Sequence, residues 1–127
     1  MKILGIDYGT KRIGLAISDE TKTLARELAI IAPNKIFNEI INLHKQDPLE
    51  SIVLGYPLSV RGDITEKTKE VLAFQKKLET KIKLPVYLSD ERFSSAMAQS
   101  LPGGRQAVDS LAAQIILQNY LDKIKNS

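Results

Sequence analysis

Short apolar runs separated by polar turns occupy the first 32 residues, and their spacing predicts three consecutive strands. The predicted strands cover residues 2–7, 12–18 and 23–32. In the second run, the larger apolar side chains alternate with Gly, Ala and Ser. One face of this strand is therefore apolar, and the side chains on the other face are small enough for a helix to approach closely. Because the connections are short, the three strands are expected to form an antiparallel meander.

The rest of the chain alternates between helical and strand periodicity. Residues 35–45, 64–80 and 105–124 carry apolar residues at helical spacing, and Asn34 is expected to cap the first of these helices. Apolar runs at residues 51–55 and 85–89 predict two further strands. Strands separated by helices pair in parallel through right-handed crossovers. The sequence therefore predicts an α/β fold in the order βββαβαβα.

The length and composition are those of one small globular domain covering residues 1–127. The chain has no Cys, which excludes zinc–thiolate sites, disulfides and thiol nucleophiles. It has no secretory signal pattern and no apolar run long enough to cross a bilayer, so a soluble cytoplasmic protein with no membrane partner is expected. A formal charge of +3 is compatible with a polyanionic substrate but does not require one.

Acidic residues stand at the ends of the first and last predicted strands and on the early turns of the last helix. They are Asp7, Asp90, Glu91 and Asp109. Ligands of open α/β sheets gather at the carboxyl ends of the parallel strands, where these acids are expected to meet. A cluster of carboxylate oxygens suits Mg²⁺ or Mn²⁺. The chemistry that such a cluster favours is metal-assisted hydrolysis of a phosphodiester.

Each acid also has a purely structural interpretation. Asp7 can accept hydrogen bonds from amides of the following turn, and Asp90 can cap the next segment. Glu91 can pair with the arginine beside it, and Asp109 can be stabilised by the dipole of its helix. The acids fall at matching ends of their elements, which favours the metal site. The single histidine, His44, is expected at the surface or its boundary, far from these acids.

Four motifs resemble those of the YqgF family, also called RuvX, of the RNase H-like superfamily. In chain order they are GIDYGTKRIGLAISD, IVLGYPLSVRGDIT, LSDERFSSAMA and VDSLAAQIILQNYLD, and together they span nearly the whole chain. The resemblance implies an RNase H-like fold with a five-stranded mixed sheet in the order 3-2-1-4-5. It also implies a nuclease that trims the 5′ end of pre-16S ribosomal RNA, with Holliday junction resolution as the alternative. Asp7, Glu91 (or Asp90) and Asp109 match the acidic positions of the family.

Two positions differ from the acidic pattern of related nucleases. Related resolvases carry two acids three residues apart on the last helix, and the position three after Asp109 is Ala112 in this chain. Nucleases of the superfamily usually carry an acid after the fourth strand, where this chain has residues 55–57, Gly-Tyr-Pro. The stretch between the DER motif and Asp109 is also shorter than the resemblance implies, and it contains one Arg where the family often has several basic residues. The expected site therefore has few protein ligands and binds its metal weakly until substrate phosphate supplies the missing oxygens.

Five basic residues lie near the proposed site in sequence: Lys11, Arg12, Arg61, Arg92 and Arg105. Several of them are expected to contact phosphates and to position the strand rather than read bases. The expected partner is nucleic acid, with precursor ribosomal RNA ahead of branched DNA. No long apolar stripe marks a dimer face, so a monomer or a weak homodimer is expected.

Two rival interpretations use the same residues. The opening DYGTKRIG also resembles the first phosphate loop of actin-like ATPases and sugar kinases, in which the Asp holds Mg²⁺ through water. Those folds surround one nucleotide with two such domains, and this chain is long enough for one. The second rival is a non-catalytic nucleic-acid-binding module, which the missing fourth acid favours.

Overall fold

Five strands, numbered in chain order, form one mixed sheet. They are β1 (Lys2–Asp7), β2 (Ile13–Ser18), β3 (Ala25–Ile31), β4 (Leu49–Tyr56) and β5 (Val86–Asp90). Their order across the sheet is β3-β2-β1-β4-β5. The first three strands pair antiparallel, whereas β4 pairs parallel with both β1 and β5. The predicted meander, the parallel crossovers and the order 3-2-1-4-5 are therefore confirmed.

The computed structural model describes residues 1–56, 63–90 and 104–125, except the side chains of Asp90 and of residues 104–110. Within these ranges the sheet is flanked by three α-helices: α1 (Ile36–Gln46), α2 (Glu66–Ile82) and α3 (Gly104–Lys125). None of the helices in the described ranges is both long and apolar enough to cross a membrane.

Helices α1 and α2 cover one side of the sheet, here called the apolar face. Leu4 and Ile6 of β1 share one buried cluster with Ile40 of α1 and with Phe74 and Leu78 of α2. Strand alternation explains the set, because residues two apart along β1 point to the same side. Removal of this large branched surface from water supplies most of the driving force for folding.

Helix α3 covers the opposite side, here called the α3 face, and it approaches β1 very closely. A Cβ atom added to Gly5 would lie 2.7 Å from the Cβ of Leu117 and 3.3 Å from the carbonyl oxygen of Ala113. Any side chain at this position would therefore push α3 away from the sheet. Ala16 on β2 and Ala112 on α3 are also fully buried, so small residues on both surfaces permit the contact.

The start of α1 differs from the prediction. Asn34 lies within a short 3₁₀ helix, Pro33–Lys35, and the residue that precedes α1 is Lys35, without a side-chain capping hydrogen bond. The N-cap prediction for Asn34 is wrong because Pro33 favours the first turn of a helix and starts that turn one step earlier. Helix α2 does have a side-chain cap, formed by reciprocal hydrogen bonds between Thr65 and Thr68.

Candidate active site

Asp7 is the last residue of the central strand, and only 9% of its surface is exposed. It follows Ile3 and Gly5 in steps of two, so the strand alternation puts it on the α3 face. Its backbone partner on β2 is Gly14, which presents no side chain beside it. A buried carboxylate is costly unless hydrogen bonds, cations or a metal compensate it. Asp7 therefore has the position expected of a functional acid.

The turn after Asp7 brings two cations to the same end of the sheet. A Cβ atom at Gly9 would lie 2.4 Å from the carbonyl oxygen of Arg12, so only glycine fits the turn. Tyr8 holds the turn from the apolar face, where its ring packs on Phe74 with 4.6 Å between the centroids. Lys11 and Arg12 are both exposed. Their position next to Asp7 suits contacts with a phosphate backbone.

The register of the parallel strands places the backbone of Asp90 at the same edge of the sheet. Ile6 pairs with Leu54, which pairs with Leu88, so these residues form one row across three strands. Asp90 pairs with Tyr56 two positions further along the strands. Asp90 therefore ends β5 at the carboxyl edge, as predicted. Its side chain and the whole of Glu91 lie outside the described residues.

Helix α3 runs antiparallel to β1, with its N-terminal end on the side of Asp7. Its C-terminal end meets the β2–β3 turn, where Ile124 and Lys125 line a cavity together with Thr21 and Thr23. Ala113 lies over Gly5, and Asp109 is one helical turn, about 6 Å, further toward the carboxyl edge. Asp7 is about 7 Å beyond Gly5 in the same direction. The backbones of Asp7 and Asp109 therefore lie at the same end of the molecule.

The structure thus places the backbones of Asp7, Asp90 and Asp109 towards the same end of the sheet. The backbone of Arg105 is also in the first turns of α3, with its side chain outside the described set, and Arg61 and Arg92 lie entirely outside it. Among the described side chains, no three His, Cys, Asp or Glu residues form a group that could hold a metal. The assignment of metal ligands and of phosphate contacts therefore stays a prediction.

Two glutamines that sequence reasoning missed tie α3 to the edge strand β3. The backbone N–H of Ala25 donates to Oε1 of Gln118 at 2.8 Å, and Nε2 of Gln114 donates to the carbonyl oxygen of Ala25 at 3.1 Å. Nε2 of Gln118 also donates to the carbonyl oxygen of Thr23 at 2.9 Å. Gln114 and Gln118 are four residues apart in an otherwise apolar part of α3, so both side chains lie on the same side of the helix. This spacing is the signal in the sequence that indicates a shared hydrogen-bonding target. These bonds fix the direction in which α3 crosses the sheet.

His44 lies at the opposite end of the sheet, at the turn that leads into β4. Its Nδ1 accepts a hydrogen bond of 2.9 Å from the backbone N–H of Leu49. The prediction that His44 is remote from the acids is confirmed, and its role is to satisfy a backbone donor at the start of a strand.

Comparison with known proteins identifies the family. A family model described as RuvX, Holliday junction resolvase, matches residues 1–123. A protein of Dictyoglomus turgidum is 39% identical over 135 residues, which cover 98% of this chain and 96% of the relative. A protein of Maridesulfovibrio salexigens is 37% identical over 132 residues, which cover 95% and 98%. Both carry the name "Putative pre-16S rRNA nuclease".

Solved structures with low sequence identity share the fold. Thermus thermophilus RuvC in complex with a Holliday junction substrate superposes with a TM-score of 0.60 at 15% identity, covering 98% of this chain and 96% of RuvC. The Holliday junction resolvase of fowlpox virus gives a TM-score of 0.57 at 15% identity, covering 97% and 99%. These neighbours confirm the RNase H-like fold. With the family match over nearly the whole chain, they show that the protein belongs to the RuvX family of nucleases, hydrolases that act on phosphodiester bonds.

Proposed function

We propose that this protein is a metal-dependent nuclease that trims the 5′ end of pre-16S ribosomal RNA during ribosome maturation in the cytoplasm. The observation that carries the proposal is Asp7, a carboxylate 9% exposed at the carboxyl end of the central strand. The backbones of Asp90 and Asp109 lie at the same edge, and the names of the relatives supply the RNA substrate.

The donor chemistry of this edge fits a hard divalent cation. Asp7, Glu91 and Asp109 would hold Mg²⁺ or Mn²⁺ through carboxylate oxygens. Glu91 is the preferred ligand and Asp90 its substitute, because Glu91 is the better match to the acidic position in the family's motif. When bound, the cation supplies charge stabilisation at the phosphate and lowers the pKa of water.

The protein's own residues then bind and orient the strand. Asp7 fixes the position of the reacting phosphate because it ends a strand that is buried on both faces. Lys11 and Arg12, exposed in the neighbouring turn, would bind the flanking phosphates without reading bases. Arg61, Arg92 and Arg105 are proposed for the same role. RNA affinity should therefore fall steeply as salt concentration rises.

The metal site should be weak in the free protein. Three carboxylates from three elements leave Mg²⁺ several waters, so the site should fill properly only when substrate phosphate adds oxygens. Mn²⁺ should support cleavage at lower concentration than Mg²⁺, because it binds oxygen and nitrogen sites more tightly. Tight stoichiometric Mg²⁺ binding to the free protein in calorimetry would contradict this ligand count.

The test offers the purified protein three substrates with Mg²⁺ or Mn²⁺: pre-16S RNA, single-stranded DNA and a four-way DNA junction. We expect cleavage of the RNA by the wild type and none by Asp7→Asn. Equal RNA cleavage by both proteins would overturn the assignment of Asp7. Absence of any cleavage by the wild type would favour a non-catalytic binding module.

Holliday junction resolution is the second candidate function, favoured by the description of the family model. A symmetric junction needs two active sites and therefore a dimer with two-fold symmetry. We propose a monomer or a weak homodimer, which suits RNA trimming. Cleavage of the four-way junction alone, by a protein that sediments as a stable dimer, would replace the RNA proposal with this one.

A further inference from the structure

Two tyrosines form a stacked, partly exposed pair on the α3 face. The rings of Tyr87 on β5 and Tyr120 on α3 lie with centroids 6.0 Å apart and planes inclined by 19°. Tyr120 is half-buried against the α3 face, whereas Tyr87 is 47% exposed.

The pair lies on the same face of the sheet as Asp7. Tyr87 pairs with Val53, and Val53 pairs with Gly5. Tyr87 is therefore level with Gly5, which lies two residues before Asp7 on β1. It is two strands away from β1, which gives about 12 Å between the Cα atoms of Tyr87 and Asp7. A single strand of nucleic acid whose phosphate lies at Asp7 can reach this pair within a few nucleotides.

The electrostatics around the pair are compatible with a nucleobase. Glu50, the nearby carboxylate that acts on Tyr120, is paired with Nζ of Lys22 at 2.8 Å. Burial raises the pKa of the Tyr120 hydroxyl, with smaller contributions from Tyr87 and Glu50, so this hydroxyl stays neutral at physiological pH. The stacked rings thus present a neutral π-surface, which suits the neutral face of a base.

We infer that Tyr87, supported from behind by Tyr120, is a stacking platform for an unpaired nucleobase of the substrate strand. The inference rests on the proposed function, because it needs a nucleic-acid strand at Asp7. Proteins that bind single strands commonly stack bases on exposed aromatic rings, and they do so with little sequence preference. The platform would hold the strand by one base while the acidic edge holds the phosphate.

The first test measures binding of a labelled single-stranded oligoribonucleotide by fluorescence anisotropy in EDTA, where cleavage does not occur. Tyr87→Ala should raise Kd about tenfold, and Tyr87→Phe should bind like the wild type. Leu88→Ala is the matched control, because Leu88 is the next residue on β5, is 37% exposed and points to the other face. It should leave Kd unchanged.

Two readouts separate stacking from a general structural effect. The slope of log Kd against log salt should stay the same in Tyr87→Ala, whereas Lys11→Ala should reduce it by about 1, because Lys11, unlike Tyr87, is proposed to bind a phosphate. An oligonucleotide with abasic sites should bind the wild type and Tyr87→Ala equally. If Tyr87→Ala still loses affinity for the abasic strand, the platform is wrong.

A second measurement does not depend on a destabilising truncation. The chain contains no Trp, so Tyr87→Trp introduces a single reporter that keeps the aromatic surface. RNA should quench its fluorescence, and an abasic strand should not. Leu88→Trp, on the opposite face, should show no quenching with either strand. Equal quenching of the two reporters would overturn the inference.

The outcomes distinguish this inference from the proposed function. If the wild type does not bind the oligonucleotide at all, both fail. If the wild type binds and Tyr87→Ala binds as tightly, the platform fails and the nuclease proposal stands.

Discussion

The two faces of the sheet differ in what their residues are selected to do. The apolar face is a continuous cluster of Leu, Ile, Val and Phe side chains under α1 and α2. The α3 face combines small residues, glutamines that bond to backbone, an exposed tyrosine and a buried carboxylate. Large branched residues gain the most free energy from burial, so the apolar face carries most of the stability. The small and polar residues of the α3 face gain less free energy from burial.

From this difference we propose that the close approach of α3 to β1 serves the proposed active site. Gly5 and Ala113 allow the helix backbone to approach the central strand, and this approach brings the backbone of Asp109 to the end of β1. Larger residues at these positions would bury more surface but would move the acids apart. Proteins commonly sacrifice stability at functional sites in this way.

The largest effect is expected from removing a buried side chain on the apolar face. Leu78 on α2 is fully buried, and Leu78→Ala should lower the free energy of unfolding by about 2–5 kcal/mol. Urea denaturation measures the loss, and Lys77→Ala on the exposed side of the same helix is the control. Cleavage per folded molecule should stay at the wild-type level. A loss of cleavage in fully folded Leu78→Ala would show that the faces are not separate in function.

A substitution on the other side of the same sheet should behave differently. Gly5→Ala forces α3 away from β1 and should cost about 1–3 kcal/mol of stability. It should also lower cleavage per folded molecule by at least about tenfold, because a small misplacement of a catalytic group is costly. The measurement is single-turnover cleavage at a temperature where both proteins are folded. Wild-type cleavage by this variant would contradict the link between close approach and function.

Much of the fold can be predicted from the sequence because its local patterns agree with the tertiary structure. The strands and helices α1 and α2 follow the periodicity of their apolar residues, and Asp7 is recognisable because it ends a buried run. What the sequence does not show are contacts between distant positions. Gln118 bonds to Ala25 across 93 positions, and Tyr87 meets Tyr120 only because α3 crosses β5. The tyrosine contact has no local signature, and the spacing of Gln114 and Gln118 indicates a shared target without showing that the target is Ala25.

A smaller effect is expected from the hydrogen bonds that orient α3. Gln118→Ala removes the acceptor for the Ala25 N–H and should lower the free energy of unfolding by about 1 kcal/mol. Asn119→Ala, at the next and exposed position of the helix, is the matched control and should change stability little. Thermal unfolding followed by circular dichroism compares the two variants. If both melt together with the wild type, the glutamine does not fix the helix.

The smallest expected effect concerns pH and a turn at the opposite end of the sheet. Asp19 accepts a hydrogen bond from the Thr23 N–H, which is the main cause of its lowered pKa, and another from the Leu24 N–H. A carboxyl with a lowered folded-state pKa adds stability above its unfolded pKa, and this stability is lost as the pH falls through the folded value. Asp19→Asn should therefore weaken the decline of Tm as the pH falls below about 4. An unchanged decline would contradict the assignment.

The most direct test of the division between the faces compares the Tm and the cleavage rate of Asp7→Asn with those of the wild type. Asn has nearly the same size and shape as Asp, so the substitution removes the charge of this buried side chain with little change in packing. The account predicts that cleavage of pre-16S RNA with Mn²⁺ is abolished while Tm stays equal to or above that of the wild type. A variant that cleaves at the wild-type rate would show that the reaction does not need Asp7. A variant that melts well below the wild type would show that Asp7 serves the fold.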